Sequence, residues 1–267
     1  MTMSPSNGPW RPGDIIIPPH GLEIRKNGRP NYAKALGRKT LASVTGIIGS
    51  NNAWSKDALM HWANRIGIEH GIHHRQFTDD AARIGTMGHA MVEAHVLGKE
   101  IPTFPQDIPD QVFQATESYR NFLDWFTALD FHLIVAEYPL VSEFLLVGGT
   151  IDIMALINGE ITLLDLKTSN GVYDDHRAQV AAYKLMWDSK FPQYPISKVQ
   201  ILQIAKSEGG FAHYQLSNLE LERGLLNFCL WRILDVSRQA KTKDRVDEAK
   251  AMMDRFNYSI NADAYDW

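Results

Sequence analysis

The sequence predicts an α/β fold: a mixed central β-sheet flanked by helices, with helical elaborations towards both ends. Three observations carry that expectation. Between Gly149 and Thr168, two runs rich in Ile, Leu and Thr flank Asn158-Gly159. That dipeptide suits the positive φ angles of a two-residue type I′ turn, so the runs form a tight antiparallel hairpin. Upstream, Val112, Ala115, Tyr119, Phe122, Phe126 and Leu129 recur at spacings of three and four, the signature of an amphipathic helix. Downstream, a helical stretch precedes two more strand-like runs, so strands and helices alternate as they do around a mixed sheet.

In chain order, residues 1–39 carry Pro5, Pro9, Pro12, Pro18, Pro19 and Pro30, which makes them an extended arm. Trp10 and Ile15-Ile16-Ile17 are candidate tethers to the domain. A segment containing Ser43 and Thr45, either able to cap a helix, leads to a helix from Lys56 to Gly67. A second helix is expected from Thr78, with Asp79 and Asp80 in its first turn, to Gly98. A third covers Gln111 to Leu129. Phe131 to Val141 and Phe144 to Val147 read as strands entering the hairpin. Tyr173 to Asp188 reads as a helix, Lys198 to Ala205 and Phe211 to Leu216 as strands joined by Glu208-Gly209-Gly210. Asn218 to Ala240 and Asp244 to Phe256 read as helices. The organisation is an arm (1–39), a main domain (40–240) and a C-terminal helical tail (241–267).

Composition bounds the function. A chain of 267 residues with 45% hydrophobic content can bury a full core in one elaborated domain. A net charge of −4 excludes a polycation that coats nucleic acid or anionic membrane, so any nucleic-acid contact is local. The single cysteine, Cys229, excludes an intramolecular disulfide and a four-cysteine cluster. No apolar run has signal-peptide or membrane-spanning character, and the expectation is a soluble, cytoplasmic protein with no membrane partner.

The hairpin sets the chemistry. With Asn158 and Gly159 as the loop, Ile157 faces Glu160 and Asp152 faces Asp165. Lys167 shares the face of Asp165, while Leu164 and Leu166 turn to the other side. Opposed like charges destabilise a sheet, so something cationic belongs between them, and a divalent metal is the simplest candidate. Asp152, Asp165 and the Leu166 carbonyl offer hard oxygen ligands, and His89 adds a nitrogen that tilts preference from Mg2+ towards Mn2+. Lys167 is placed to orient water and offset charge on a phosphate. Together these parts describe phosphodiester hydrolysis.

Glu137, Gly149-Thr150-Ile151-Asp152, Asp165-Leu166-Lys167 and Gln179-Val180-Ala181-Ala182-Tyr183, preceded by Arg83-Ile84-Gly85-Thr86-Met87-Gly88-His89 and Glu93, resemble the PD-(D/E)xK nuclease superfamily in its RecB-like exonuclease branch. The likeness spans roughly residues 40–216. The Ser43-Val44-Thr45 segment is further similar to mitochondrial genome-maintenance exonuclease and its phage relatives. The resemblance implies a restriction-endonuclease-like fold, with Asp152, Asp165, His89 and Leu166 holding Mg2+ or Mn2+ and Lys167 catalytic. Gln179 and Tyr183 support the site or contact DNA. Glu137 fits a commonly acidic position, and Ile151 stands where the nominal signature has proline. By this resemblance the chain, with one cysteine, would belong with members that lack an iron-sulfur cluster.

For other residues a structural reading stands beside the functional one. Glu93 either stabilises its helix face or hydrogen-bonds His89 from behind. Arg83, Thr86, Arg177 and Lys206 are candidate DNA contacts against ordinary surface polarity. His70, His73 and His74 read as a solvated face rather than a zinc site. Trp54, Trp62, Trp125 and Trp187 read as core. The expected function is a metal-dependent DNA exonuclease acting on free ends or single strands in replication, repair or recombination, alongside a recombination or replication protein, and in host cytoplasm if phage-encoded. Its rivals are a flap or junction endonuclease and a non-catalytic nucleic-acid-binding protein on the same fold.

Overall fold

Asn158 (φ 50°) and Gly159 (φ 79°) make the expected turn, and Ile157 pairs with Glu160 across it. The structure, a computed structural model, describes residues 9–51, 56–71, 74–105, 107–169, 171–204 and 210–239, with 243, 246, 247 and 250–255. Its elements are α1 (Tyr32–Ala35), β1 (Ala42–Ser43), α2 (Val44–Asn51), α3 (Lys56–His70), α4 (His74–Val96), α5 (Pro109–Phe126), β2 (Phe131–Ser142), β3 (Val147–Ile157), β4 (Glu160–Lys167), α6 (Asp174–Lys190), β5 (Lys198–Ile204), β6 (Phe211–Gln215) and α7 (Asn218–Gln239).

The six strands form one sheet in the order β1-β3-β4-β5-β6, with β2 also on β3. β3 is antiparallel to β2 and β4, β4 parallel to β5, β5 antiparallel to β6, and β1 parallel to β3. The alternation read from the hairpin decides which side chains meet which helices. Met154, Leu156, Ile161 and Leu163 enter a core with Ile47 of α2, Tyr183 and Trp187 of α6, and Phe228 of α7. Ile153, Ala155, Leu164 and Leu166 point the other way, onto Val92 and Val96 of α4 and Phe122 of α5. This mixed six-stranded sheet between two helical layers is consistent with the restriction-endonuclease-like fold expected from the sequence.

Several boundaries differ, each for a local reason. Residues 143–146 form a turn, although Phe144 to Val147 read as a strand. The Leu145 amide donates to Ser142 Oγ (3.0 Å), Leu146 takes φ 51°, and the buried Arg232 guanidinium donates to the carbonyls of Leu145 and Leu146, both at 3.1 Å. The apolar side chains there are plugs for the core, which is why they mimic a strand. α4 starts at His74, one turn before the expected cap Thr78, and α5 ends at Phe126. Ser43 does cap: its Oγ accepts the Gly46 amide at 3.0 Å at the start of α2. The turn expected at 208–210 falls largely outside the described residues, as do Trp54 and His73 and the side chains of Trp62, His70 and His74.

The arm is tethered as expected at Trp10, Ile15 and Ile17, which pack on the larger core, while Ile16 points outward at 74% exposure as extended chain requires. The Trp10 amide donates to the Gly159 carbonyl (3.1 Å), and the Tyr138 hydroxyl donates to the Pro18 carbonyl (3.0 Å).

Candidate active site

At its open end the hairpin stops being an ordinary ladder. Pairing of β3 with β4 runs from Ile157↔Glu160 to Ile153↔Leu164, and the next residues along the two strands are Asp152 and Asp165. On the other edge of β3, β2 pairs Ala136 with Ile153 and Tyr138 with Ile151, which leaves Glu137 abreast of Asp152. Glu137 holds φ 49°, a left-handed backbone that breaks the ladder at that point. Three carboxylate residues therefore stand in register on three adjacent strands. Asp152 takes over where the backbone pairing ends, because its Oδ2 accepts the Leu166 amide at 2.9 Å.

Asp165 is the most sequestered of these groups, at 1% exposure. Neither of its oxygens has a well-directed hydrogen bond, and Oδ2 is met by the Lys167 ammonium as an ion pair. Burial raises its carboxyl to about 6, against the opposing pull of Lys167 and with the charge of Asp152 adding to the rise. Asp152 is also shifted upward by burial, and Lys167 and the Leu166 amide draw it back. Glu137 rises through burial and then through the charge of Glu93. Carboxylates crowded in a dry site hold their protons more tightly, so the cluster is short of positive charge.

The helices reach this end because small residues let them. A methyl group at Gly85 would stand 2.5 Å from Thr168 Cβ, and one at Gly88 2.7 Å from an Ile204 methyl. The glycine spacing of Arg83 to His89 therefore brings α4 against the ends of β4 and β5 and delivers His89. Its Nδ1 lies 3.8 Å from Glu93 Oε2, and burial lowers its pKa while the charges of Glu93 and Asp165 act to raise it. From the opposite layer, the Gln179 side-chain amide donates to the Tyr183 hydroxyl at 3.3 Å. Tyr183 is 2% exposed, and its ring fills the space over Gly149, so it supports the floor of the site from below. Its hydroxyl is held protonated by burial, with the charges of Asp165 and Asp152 contributing.

The candidate DNA contacts are dispersed. Arg83 and Thr86 lie on the exposed side of α4, where the Thr86 hydroxyl donates back to the Ala82 carbonyl at 2.8 Å. Arg177 is engaged within the protein, donating to Glu220 Oε1 (3.2 Å) and the Val172 carbonyl (3.2 Å). Lys206 lies outside the described residues. One neighbour escaped the sequence reading altogether. His176, in the first turn of α6, accepts the Tyr173 amide on Nδ1 at 3.3 Å, and its pKa, lowered by burial, responds to Lys167 and Asp165. The run Asp174-Asp175-His176 at a helix start was the available signal.

The donor set fits a hard divalent ion. Asp165 Oδ1 is buried without a hydrogen-bond partner, and two carboxylates in register supply the oxygens such an ion prefers. Among the described residues no three His, Cys, Asp or Glu side chains form a ready-made cluster. Lys167 and the Leu166 amide hold the carboxylate oxygens in the arrangement described.

No family model and no curated protein matches the chain. Among solved structures it is similar to a candidate exonuclease from Eubacterium rectale, at 14% identity over 54% of this chain and 63% of that one, with a TM-score of 0.38. It is also similar to the protein SSO0001, at 16% identity over 32% of this chain and 40% of that one, with a TM-score of 0.21. The chain thus spans less than two thirds of the length of either. Among the described residues no helix is long and apolar enough to cross a membrane.

Proposed function

We propose that the protein is a divalent-metal-dependent DNA exonuclease of the RecB-like PD-(D/E)xK type, hydrolysing phosphodiester bonds from free or single-stranded ends. One observation carries the reading: Asp165, buried with an unpartnered oxygen, stands beside Lys167 and in register with Asp152. A buried carboxylate that keeps an oxygen without a hydrogen bond costs stability, and that cost is the mark of a site that acts on something.

Asp152, Asp165 and the Leu166 carbonyl would hold Mg2+ or Mn2+, with His89 beside them, and the bound ion would supply Lewis-acid activation of phosphate and water. The chain's own residues do the rest. Lys167 brings a fixed positive charge to the reacting phosphate and a donor that orients the attacking water. Water adds to phosphorus and gives up a proton to solvent, the bridging P–O bond breaks, and the departing oxygen takes up a proton from solvent and leaves as an alcohol. The Asp152 carboxylate, bonded to the Leu166 amide, fixes the separation of the two strands. Glu93 steadies His89, and Tyr183 with Gln179 keeps β3 from shifting beneath the site.

The test is Mn2+-dependent digestion of end-labelled linear single strands, duplexes and flaps beside a closed single-stranded circle. The expected result is loss of linear substrate with the circle intact, abolished by Asp165→Ala or Lys167→Ala in folded protein. Cleavage of the circle would replace the exonuclease with an endonuclease. Full activity of either variant in clean preparations would overturn the site.

A further inference from the structure

A polyanion approaching Glu93, Glu137, Asp152 and Asp165 is repelled by them, and the chain as a whole is acidic. The distribution of charge resolves this. Residues 1–39 hold seven Lys and Arg against two Asp and Glu, which leaves twenty basic and twenty-nine acidic residues in the remainder. The positive charge is concentrated in the arm.

Part of that arm is a built structure rather than a loose tail. Ile24 bridges Pro30, the Arg25 amide donates to the Arg29 carbonyl (2.8 Å), and the Gly28 amide donates to the Arg25 carbonyl (2.9 Å). The Asn31 amide closes the loop onto the Glu23 carbonyl at 2.8 Å. The result is a miniature hairpin with Arg25, Lys26 and Arg29 exposed around its tip. Glu23, the acidic residue of this stretch, is neutralised by Lys34. Arg25 donates to Asn31 Oδ1 at 3.1 Å, whereas Lys26 and Arg29 have no acidic partner among the described residues. Several basic side chains elsewhere are matched to acids: Arg177 with Glu220, Arg223 with Asp174, Arg232 with Asp235, Lys198 with Glu160.

The miniature hairpin is also fastened next to the carboxylate row. Tyr32, directly after it, packs its ring on Gly148 and shares a 2.6 Å hydrogen bond with Thr150 Oγ1. Thr150 is two residues before Asp152 on the same face of β3, one pleat repeat or roughly 7 Å away. Burial raises the pKa of the Tyr32 hydroxyl, and the charges of Glu137 and Arg29 act on it in opposite directions.

We propose that Arg25, Lys26 and Arg29 form a clamp for the sugar-phosphate backbone of a single nucleic-acid strand, holding the strand beside the bond presented to Asp152 and Asp165. The reading of what lies beyond the clamp rests on the proposed nuclease activity. The clamp itself contacts phosphates, so it adds affinity without sequence preference.

The test is fluorescence anisotropy of a labelled single-stranded oligonucleotide with the full-length protein in EDTA, where no turnover competes. The double variant Lys26→Glu with Arg29→Glu is expected to bind at least about tenfold more weakly, and its dependence of log affinity on log salt flattens by about 1.4, since each phosphate contact contributes about 0.7. Its melting temperature stays unchanged because neither side chain packs in the core. Lys26→Arg with Arg29→Lys keeps the affinity, and Lys99→Glu, after α4, leaves it as in the parent. In cleavage assays KM rises and kcat at saturation is retained. Unchanged affinity and salt slope in the double variant would overturn the clamp. So would an equal loss of binding to phosphatidylglycerol vesicles, which would make the tip a general anion surface. A parent protein that binds through the tip but cleaves nothing with Mn2+ removes the nuclease and keeps the clamp. One that cleaves with a KM indifferent to the tip does the reverse.

Discussion

The two ends of the β3–β4 hairpin are built from the same two strands and follow opposite rules. At the turn end, from Ile157↔Glu160 to Ile153↔Leu164, the backbone is paired residue by residue and the inward side chains are apolar. At the open end the pairing gives way to carboxylates, one bonded to a backbone amide and one buried without a hydrogen-bond partner for its Oδ1. The difference teaches a division of labour along one motif: the turn end is optimised for stability, and the open end holds charge that stability alone would remove. Changes at the two ends should therefore separate rate from fold.

The largest effect is expected at the open end. Lys167→Ala should lower the cleavage rate by about a thousandfold. The fold should survive, because Asp165 can take up a proton when its partner ammonium is gone, and circular dichroism melting checks this. Next, Leu163→Ala at the closed end, a fully buried side chain, should cost about 3 kcal/mol of stability by denaturant unfolding. The rate per folded molecule should stay near that of the parent. A large rate loss with Leu163→Ala, or a large stability loss with Lys167→Ala, would break the division.

A pH measurement sharpens it. The folded carboxyl of Asp165 sits at about 6 against an ordinary 3.8, so the folded protein keeps a proton that the unfolded chain releases. The contribution of this group to stability is full below the ordinary value and is lost as pH rises towards the folded one. That loss is on the order of 3 kcal/mol. Unfolding of metal-free protein across this window should show a steeper fall for the parent than for Asp165→Asn, and identical slopes would remove the argument. The smallest effect is expected for Tyr183→Phe. Loss of the bond from Gln179 should cost about 1 kcal/mol and reduce the rate less than about tenfold.

The hairpin was legible because its information is local. Asn158-Gly159 fixes the turn, period-two alternation fixes the faces, and the two together place Asp152 against Asp165 without any knowledge of the rest of the chain. The Asp165–Lys167 pair followed from the same alternation, whereas the placing of the Arg83 to His89 helix beside it rested on the resemblance to a known family. What escaped depends on partners distant in sequence. Phe144, Leu145 and Leu146 read as a strand because nothing nearby shows that Arg232 will cap their carbonyls. Arg177 stood as a candidate phosphate contact against ordinary surface charge, and nothing near it in sequence shows that Glu220, 43 residues away, engages it. His176 was missed since neither helical period nor spacing links the start of α6 to the end of β4. Glu137 was noticed as an acidic position, but its left-handed backbone is not a conformation its residue type predicts.

The arm's attachments set when it folds. Its first described residues bond to the hairpin turn, Tyr138 reaches Pro18 across 120 residues, and Tyr32 reaches Thr150 across 118. The arm precedes the sheet along the chain but has nothing to dock on until the sheet exists, and closing loops of this length is slow relative to local structure. It should therefore fold last and detach first. In native-state hydrogen exchange the Trp10 amide should open at lower free energy than the amides of β3. The arm would then be the final piece to seat beside the carboxylates.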